Sequence, residues 1–420
     1  MNTIFYIIIT ILIADFLFER ILSWLNIKNI SFSLPDALAG IYDEEKYKTQ
    51  QEYFRTNQRF GLITSTFGFL VVLAMLLFGG FGWVDFIVRT FTDNQILVSL
   101  LFFAILFIAN DIISIPFEWY DTFRIEERFG FNKVTPKLFI IDKLKGYLLS
   151  IALGGGILWL IIYIFQWNPE YFWLMAWAVV AVVSIFLNMF YSNLIVPLFN
   201  KQTPLENGEL RDAIESFCKK AGFKLTNVFV IDGSKRSTKA NAYFSGLGSK
   251  KRIVLFDTLI QDLTKEEIVA VLAHEIGHYK KKHTLMSLLF SMITTGIMFF
   301  ILSLFLIHYW QEIASALYLG KDNDITSYLE TFHLGLLAFG IIYTPVSLLL
   351  GIGMSMMSRK NEYQADAFAA QFGLADDLIS ALKKLSVKSL SNLQPHPAYV
   401  FVHYSHPTLL QRMKALSASE

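Results

Sequence analysis

The chain has 420 residues, of which 54% are hydrophobic and only 17% are charged. Soluble domains carry about 25% charged residues, so this composition excludes an ordinary soluble protein and indicates a membrane protein. A net charge of +1 gives no indication of a nucleic-acid partner. The single cysteine, Cys218, excludes an internal disulfide.

Seven stretches are apolar and long enough to cross a bilayer, which takes about 20 residues. They cover residues 3–22, 61–84, 94–116, 146–168, 171–196, 284–309 and 331–357. The first stretch carries Asp15 and Glu19 and lacks a basic N-terminal region and a cleavage pattern. We therefore expect a retained helix here rather than a signal peptide.

Lys and Arg are sorted between the segments that separate these stretches. When the spans are threaded in order, all but two of the 36 basic residues fall on the same side of the membrane. Because basic loops stay in the cytoplasm, the sequence predicts an external N-terminus and a cytoplasmic C-terminus. The two large polar segments, 197–283 and 358–420, then share the cytoplasmic face.

The first of these polar segments ends in "VLAHEIGHYKKKH". Thr264 and Glu267 form a capping box ahead of it, so we predict a helix that begins there. On that helix His274 and His278 lie one turn apart on one face, with Glu275 beside them. This HExxH spacing allows both imidazoles to bind one zinc ion and Glu275 to act as general base. The bare pentapeptide also fits a surface helix with two solvated histidines.

A third ligand is available just after the seventh span, in "RKNEYQADAFAAQFG". Glu362 could complete a two-His-one-Glu site, and Asp366, one turn further, could accept the distal N–H of a bound imidazole. The alternative is an acidic helix start, which the helix dipole favours on its own. The predicted topology puts both motifs at the same membrane depth, which favours a site.

The other histidines do not point to ligands. Three flank or enter spans, where we expect interfacial residues: His283, His308 and His333. Three more lie with three prolines in "NLQPHPAYVFVHYSHPTLLQRM", which indicates an ordered loop near the site: His396, His403 and His406. Residue type alone does not select one of these three.

Three short β-like runs precede the HExxH helix: "NVFVID", "ANAYFSG" and "RIVLFD". They predict a small sheet or hairpin. A peptide substrate can add as a strand to a sheet edge, and our candidate for this edge is the strand with Asn241, Ala242 and Tyr243. A hairpin that merely packs on the helix is the alternative.

Together these patterns predict a mainly α, polytopic membrane protein. Its predicted parts are five spans with cytoplasmic loops (1–196), a zincin-like catalytic segment with a small β-sheet (197–283), two further spans (284–357) and a C-terminal cytoplasmic segment with the third ligand (358–420).

Longer motifs carry a family resemblance. They include "PFEWYDTFRIEERFGFNKVTP", "PLFNKQTPLENGEL", "DGSKRSTKANAYFSGLGSKKRIVLFDTLI", "AHEIGHYKKKH", "NEYQADAFA" and "HYSHPTLLQRM". With these, the chain resembles the type 1 CAAX prenyl endopeptidases, which are integral-membrane zinc proteases that trim prenylated proteins.

The resemblance implies seven helices around a water-filled chamber, with one zinc ion per chain near the cytoplasmic end. It assigns His274, His278 and Glu362 as zinc ligands and Glu275 as the catalytic base. It also implies an Asp366 contact with a ligand, active-site roles for His406 and Arg412, and a peptide-binding edge at Asn241, Ala242 and Tyr243.

The implied partners are the lipid bilayer and a peptide or protein substrate, with or without a prenyl group, and no nucleic acid. The implied location is the inner membrane of a bacterium or the endoplasmic reticulum of a eukaryote, with the catalytic side cytoplasmic.

Two other functions compete with this interpretation. One is a quality-control zinc protease that cleaves misfolded membrane proteins, although such proteases have fewer spans. The other is a transporter, channel or chaperone with a structural zinc clamp. A structural zinc site is usually rich in cysteine, and this chain has one.

Overall fold

Long helices make up most of the membrane part of the protein. The computed structural model describes residues 2–30, 33–34, 39–224, 228–245, 252–320 and 325–418. The helices of the N-terminal half are α1 Thr3–Lys28, α2 Glu44–Leu77, α3 Gly80–Arg89, α4 Gln95–Tyr120, α5 Pro136–Leu149, α6 Gly156–Trp167, α7 Phe172–Leu194 and α8 Val196–Phe199. A π-helical turn at Asp121–Glu126 extends α4, and another at Ser150–Gly155 joins α5 to α6.

Five helical segments of the described chain are long and apolar enough to cross a membrane. They are Glu44–Leu77, Gln95–Glu126, Pro136–Trp167, Phe172–Phe199 and His283–His308. A bent pair, Phe332–Ile342 and Thr344–Ala370, makes a sixth if it forms one span. The first predicted span falls within α1, which is not among these five segments. Every 18-residue window of α1 contains the three charged residues Asp15, Glu19 and Arg20.

Two predicted spans differ from the structure in shape. The predicted span 61–84 is not one helix, because α2 ends at Leu77 and Gly79 turns the chain with φ 69°, a left-handed conformation that glycine adopts at little cost. The span 331–357 is bent by 54° near Tyr343. Pro345 in the first turn after the bend has no N–H to continue the preceding helix.

The region that follows α8 contains a four-stranded mixed sheet in the order β1-β2-β4-β3. Its elements are β1 Gln202–Pro204, α9 Glu209–Lys220, β2 Val228–Ile231, β3 Ala242–Ser245, β4 Arg252–Phe256, α10 Asp257–Asp262 and α11 Lys265–Lys280. β2 and β4 are parallel, and the outer pairs are antiparallel. The three predicted runs are β2, β3 and β4. The short edge strand β1 was not predicted, because it spans only three residues and ends in Pro204, which only an edge tolerates.

The remaining helices complete both regions. They are α12 His283–His308, α13 Trp310–Leu317, α14 Phe332–Ile342, α15 Thr344–Ala370, α16 Ala375–Lys388, α17 Pro397–His403 and α18 Leu409–Ser417. The hydrophobic core of this region packs the sheet against α11, with Ile253, Leu255, Leu272 and Ile276 all buried. Burial of such side chains stabilises each by about 1.5–3 kcal/mol, so α11 is held firmly on the sheet.

A glycine brings α11 close to α15. A Cβ at Gly277 would lie 3.0 Å from the Ala365 Cα and 3.1 Å from the Phe368 Cβ. Glycine therefore allows a close backbone approach that a Cβ would make unusually tight. This contact aligns the histidine face of α11 with the carboxylates of α15.

Candidate metal centre

The predicted capping box fixes the start of α11. The Thr264 side chain accepts from the Glu267 N–H, and the Glu267 carboxylate accepts from the Thr264 N–H at 2.8 Å. Glu267 also accepts from Ser380 Oγ at 2.6 Å and from Lys384 Nζ at 2.8 Å, both on α16. The helix that carries the HExxH motif is thus anchored at its N-terminus.

The two motif histidines meet Glu362 across the α11–α15 contact. His274 Nε2 lies 3.1 Å from His278 Nε2. Glu362 Oε1 is 3.2 Å from His278 Nε2, and Glu362 Oε2 is 3.5 Å from His274 Nε2. Each of the three residues therefore offers one ligand atom to a common point, all within 4.8 Å of one another.

The chemistry of this group fits a cation. Within the described residues Glu362 Oε2 is buried without a hydrogen-bond partner. Burial lowers the pKa of His274, but the neighbouring carboxylates of Asp366 and Glu362 outweigh it and raise that pKa to about 9. The carboxylates thus favour positive charge at this point. Two imidazoles and one carboxylate are a ligand set of hydrolytic zinc sites, which keep a fourth position open.

Asp366 and Arg412 surround the outer side of His274. The Nδ1 of His274 lies 2.8 Å from Asp366 Oδ1. Arg412 donates to Asp366 Oδ2 through Nε at 2.9 Å and to Oδ1 through Nη2 at 2.6 Å. When His274 Nδ1–H donates to Asp366, its Nε2 keeps a lone pair toward Glu362 and His278, as metal binding requires.

Glu275 lies between the two histidines on α11 and is half-buried. Burial raises its pKa, while the charges of His274 and His278 oppose this shift. A carboxylate with a raised pKa is a stronger base than an exposed one, which suits proton transfer at neutral pH.

Of the three histidines in the C-terminal segment, His406 reaches the ligand group. Its Nε2 lies 3.3 Å from Glu362 Oε1, and its side chain is 62% exposed. His403 instead lies 3.4 Å from Glu19 of α1. The His396 side chain caps α17 by accepting from the Ala398 N–H. The predicted loop is in part this short helix.

Asn241, Ala242 and Tyr243 lie at the predicted sheet edge, since β3 is an outer strand. Asn241 is exposed, and Tyr243 Oη lies 3.3 Å from Ser192 Oγ on α7. A cavity of about 800 Å³ lies beside this strand, lined in part by Tyr191, Tyr243 and Leu288. An extended chain could therefore run between β3 and the membrane helices.

Sequence reasoning missed His283 and Gln364 as neighbours of the site. His283 Nδ1 is 3.0 Å from His278 Nδ1, and His283 Nε2 is 2.9 Å from Gln364 Oε1. The chain reverses at Lys282, which has φ 60°, and this turn brings His283 back to the end of α11. Sequence spacing gives no sign of the turn, because Lys282 is not a glycine.

The fold and the site together define a class of protein. Histidines and carboxylates converge from two packed helices, in a chain that also has a small sheet and apolar helices long enough to span a membrane. These are features of an integral-membrane zinc metallopeptidase.

Comparisons with known proteins identify the family. Residues 24–201 match the family described as CAAX prenyl protease N-terminal, five membrane helices, and residues 204–420 match peptidase family M48. CAAX prenyl protease 1 of Saccharomyces cerevisiae is 37% identical, over 96% of this chain and 93% of that protein. The CAAX prenyl protease 1 homolog of Homo sapiens is 33% identical, over 91% of this chain and 88% of that protein.

A solved structure is similar over nearly the whole length. The crystal structure of S. mikatae Ste24p matches with a TM-score of 0.92 and 35% identity, and covers 99% of both chains. The chain belongs to the CAAX prenyl protease 1 (Ste24) family, whose members combine an M48 peptidase with an N-terminal membrane domain. The family resemblance drawn from the motifs is thereby confirmed.

Proposed function

We propose that this M48 metalloprotease binds one zinc ion at His274, His278 and Glu362 and cleaves CAAX-type prenylated proteins near their C-terminus. The observation that carries the zinc assignment is the convergence of His274 Nε2, His278 Nε2 and the buried Glu362 carboxylate on one point. The substrate class rests on relatives of similar length that are named CAAX prenyl proteases.

Four residues of the chain have different roles in the proposed reaction. Zinc, when bound, is a Lewis acid that activates water and polarises the scissile carbonyl. Glu275 takes the proton of the attacking water and delivers it to the leaving amine. His406 donates to the oxygen that gains charge in the transition state. Asp366 orients His274, and Arg412 holds Asp366 in place through two hydrogen bonds.

The substrate binds as an added strand on β3, with Asn241, Ala242 and Tyr243 at the pairing edge. Main-chain hydrogen bonds to an edge strand hold a peptide of any sequence in extended form. This arrangement is supported by the exposed position of Asn241 and by the cavity that runs beside Tyr243.

We also propose that α1 is a seventh span and that the spans enclose a chamber. Asn2 Nδ2 donates to the Glu312 carbonyl at 2.5 Å, while Asn26 Oδ1 accepts from the His396 N–H at 2.9 Å near the site. These contacts join the ends of α1 to opposite ends of the molecule. Only 6% to 22% of each of the five apolar windows is buried, which leaves the remaining surface to face lipid or a chamber.

In this arrangement segments 1–196 and 284–357 form the membrane part, while 197–283 and 358–420 form the catalytic part on the cytoplasmic side. The partners are a peptide or protein substrate and the bilayer.

The test is hydrolysis by purified, zinc-loaded protein of a farnesylated CAAX peptide and its unprenylated twin. We expect cleavage of the farnesylated peptide, and loss of cleavage with a zinc chelator and with Glu275→Gln. Preferential cleavage of unmodified membrane proteins would favour a quality-control protease instead. Absence of zinc from the pure protein would overturn the proposal as a whole.

A further inference from the structure

His278, the second proposed zinc ligand, belongs to a chain of hydrogen bonds that does not include Asp366. This chain runs from His278 through His283 to Gln364. His283, the first residue of α12, is 4% exposed and lies against the ring of His278. The two Nδ1 atoms are 3.0 Å apart, and His283 Nε2 lies 2.9 Å from Gln364 Oε1. His278 Nε2 points the other way, to Glu362 and His274.

Metal binding at His278 allows one arrangement of protons along this chain. The ligand atom Nε2 must hold a lone pair, so the proton of neutral His278 is on Nδ1. His278 Nδ1–H then donates to His283 Nδ1. Neutral His283 therefore carries its proton on Nε2, which donates to the Gln364 carbonyl oxygen. Every donor has an acceptor, and the reverse order would direct an N–H at the metal.

We infer that His283 and Gln364 are positioning residues that fix the tautomer and ring orientation of His278, as Asp366 does for His274. This inference rests on the zinc assignment proposed above. Partners of this kind orient metal-bound imidazoles, and their loss typically lowers metal affinity by about 10–100-fold. Each histidine ligand then has a separate partner, a carboxylate for His274 and a neutral imidazole for His278.

The experiment compares two substitutions at one position. His283→Leu removes the acceptor, whereas His283→Asn keeps an acceptor oxygen at the place of Nδ1. His308→Leu is the matched control, because His308 is the last residue of the same helix and is exposed. Zinc affinity is measured by competition with a chelator, and thermal unfolding is measured with and without zinc.

We expect His283→Leu to weaken zinc binding by about 10–100-fold, His283→Asn to recover most of the affinity, and His308→Leu to match the wild type. The rise in melting temperature on adding zinc should shrink in His283→Leu. Equal losses of melting temperature with and without zinc would indicate a purely structural role and overturn the inference, as would wild-type affinity in His283→Leu or an Asn variant as weak as Leu.

Gln364→Leu provides a second variant if His283→Leu does not fold. The Gln364 side chain is exposed, so its loss should leave the metal-free protein stable. We expect weaker zinc binding with an unchanged metal-free melting temperature, and unchanged zinc binding would count against the inference. If the wild-type protein itself bound no zinc, the proposed function would fail instead, so the two failures are distinguishable.

Discussion

At the scale of single residues, we expect Glu275 to be needed for catalysis but not for metal binding. Its carboxylate lies on α11 between two ligands but is not one of the three residues that converge on the metal position. Glu275→Gln should therefore retain zinc and lose turnover by at least about 10²–10⁴-fold, the usual contribution of general acid–base catalysis. Metal analysis and peptide hydrolysis on the same sample check both outcomes. Normal activity in the variant would remove Glu275 from this role.

Asp366, in contrast to Glu275, is expected to support metal binding by orienting the ligand His274. Asp366→Ala removes the acceptor for His274 Nδ1–H and also the two hydrogen bonds that buried Arg412 donates to Asp366. We expect zinc affinity to fall by about 10–100-fold, with activity recovering at high zinc concentration. Asp376→Ala, an acidic residue in the first turn of α16, is the control and should bind zinc as the wild type does. A variant with unchanged zinc affinity would contradict the orienting role.

At the scale of elements, the site depends on the close approach of α11 and α15. Gly277→Ala places a Cβ 3.0 Å from the Ala365 Cα, a tight contact that a shift of α15 by a few tenths of an ångström would relieve. Overpacking of this kind typically costs about 1–3 kcal/mol. Because the histidines and Glu362 lie on opposite sides of the contact, both melting temperature and zinc affinity should fall. Gly351→Ala on α15 is the control, since its Cβ would meet nothing within 4 Å. Wild-type zinc affinity in Gly277→Ala would show that the helices tolerate the extra methyl group.

The N-terminal anchor of α11 predicts a pH dependence of stability. Burial raises the pKa of Glu267, but bonds from Lys384, Ser380 and Thr264 outweigh it and hold that pKa below its ordinary value of 4.5. The charged form therefore stabilises the folded protein above about pH 4.5, and this contribution is lost as pH falls through the folded pKa. Glu267→Gln keeps a capping side chain but removes the charge.

We expect the melting temperature of metal-free Glu267→Gln to lie below that of the wild type at pH 7, and the gap to narrow as pH falls below 4.5. Scans in the presence of chelator avoid any effect of zinc release. Glu266→Gln is the control, because that carboxylate is 58% exposed. A gap that stays constant with pH would exclude a charge contribution from Glu267.

The elements also show what the sequence could predict. The start of α11 was predicted correctly, because the capping box and the HExxH spacing lie within one short segment. The turn at Gly79 and the bend at Tyr343 were missed, because hydropathy averages over such breaks. The pairing of His274 with Glu362 depends on a contact between helices 88 positions apart in the chain, so spacing alone could only suggest it.

At the scale of the whole molecule, the number of spans determines which ends of the chain share a side. α1 has 26 residues and is therefore about 39 Å long, enough for a hydrocarbon core of about 30 Å. Two of its charged residues have local partners: Glu19 lies 3.4 Å from His403, and Arg20 lies over the Phe16 ring. These contacts lower the free-energy cost of placing charged side chains in a membrane helix. A count of charged residues from composition alone does not include this reduction.

Single-cysteine labelling checks whether α1 crosses. Cys218 is buried, so Cys218→Ala provides a background for Thr3→Cys and Asn29→Cys, both at exposed ends of α1. Asp93→Cys, which precedes α4 on the predicted external side, is the reference for that face. In sealed cells an impermeant maleimide should label Thr3→Cys and Asp93→Cys, while Asn29→Cys should react only after permeabilisation. Labelling of Thr3→Cys and Asn29→Cys from the same side would show that α1 does not cross the membrane.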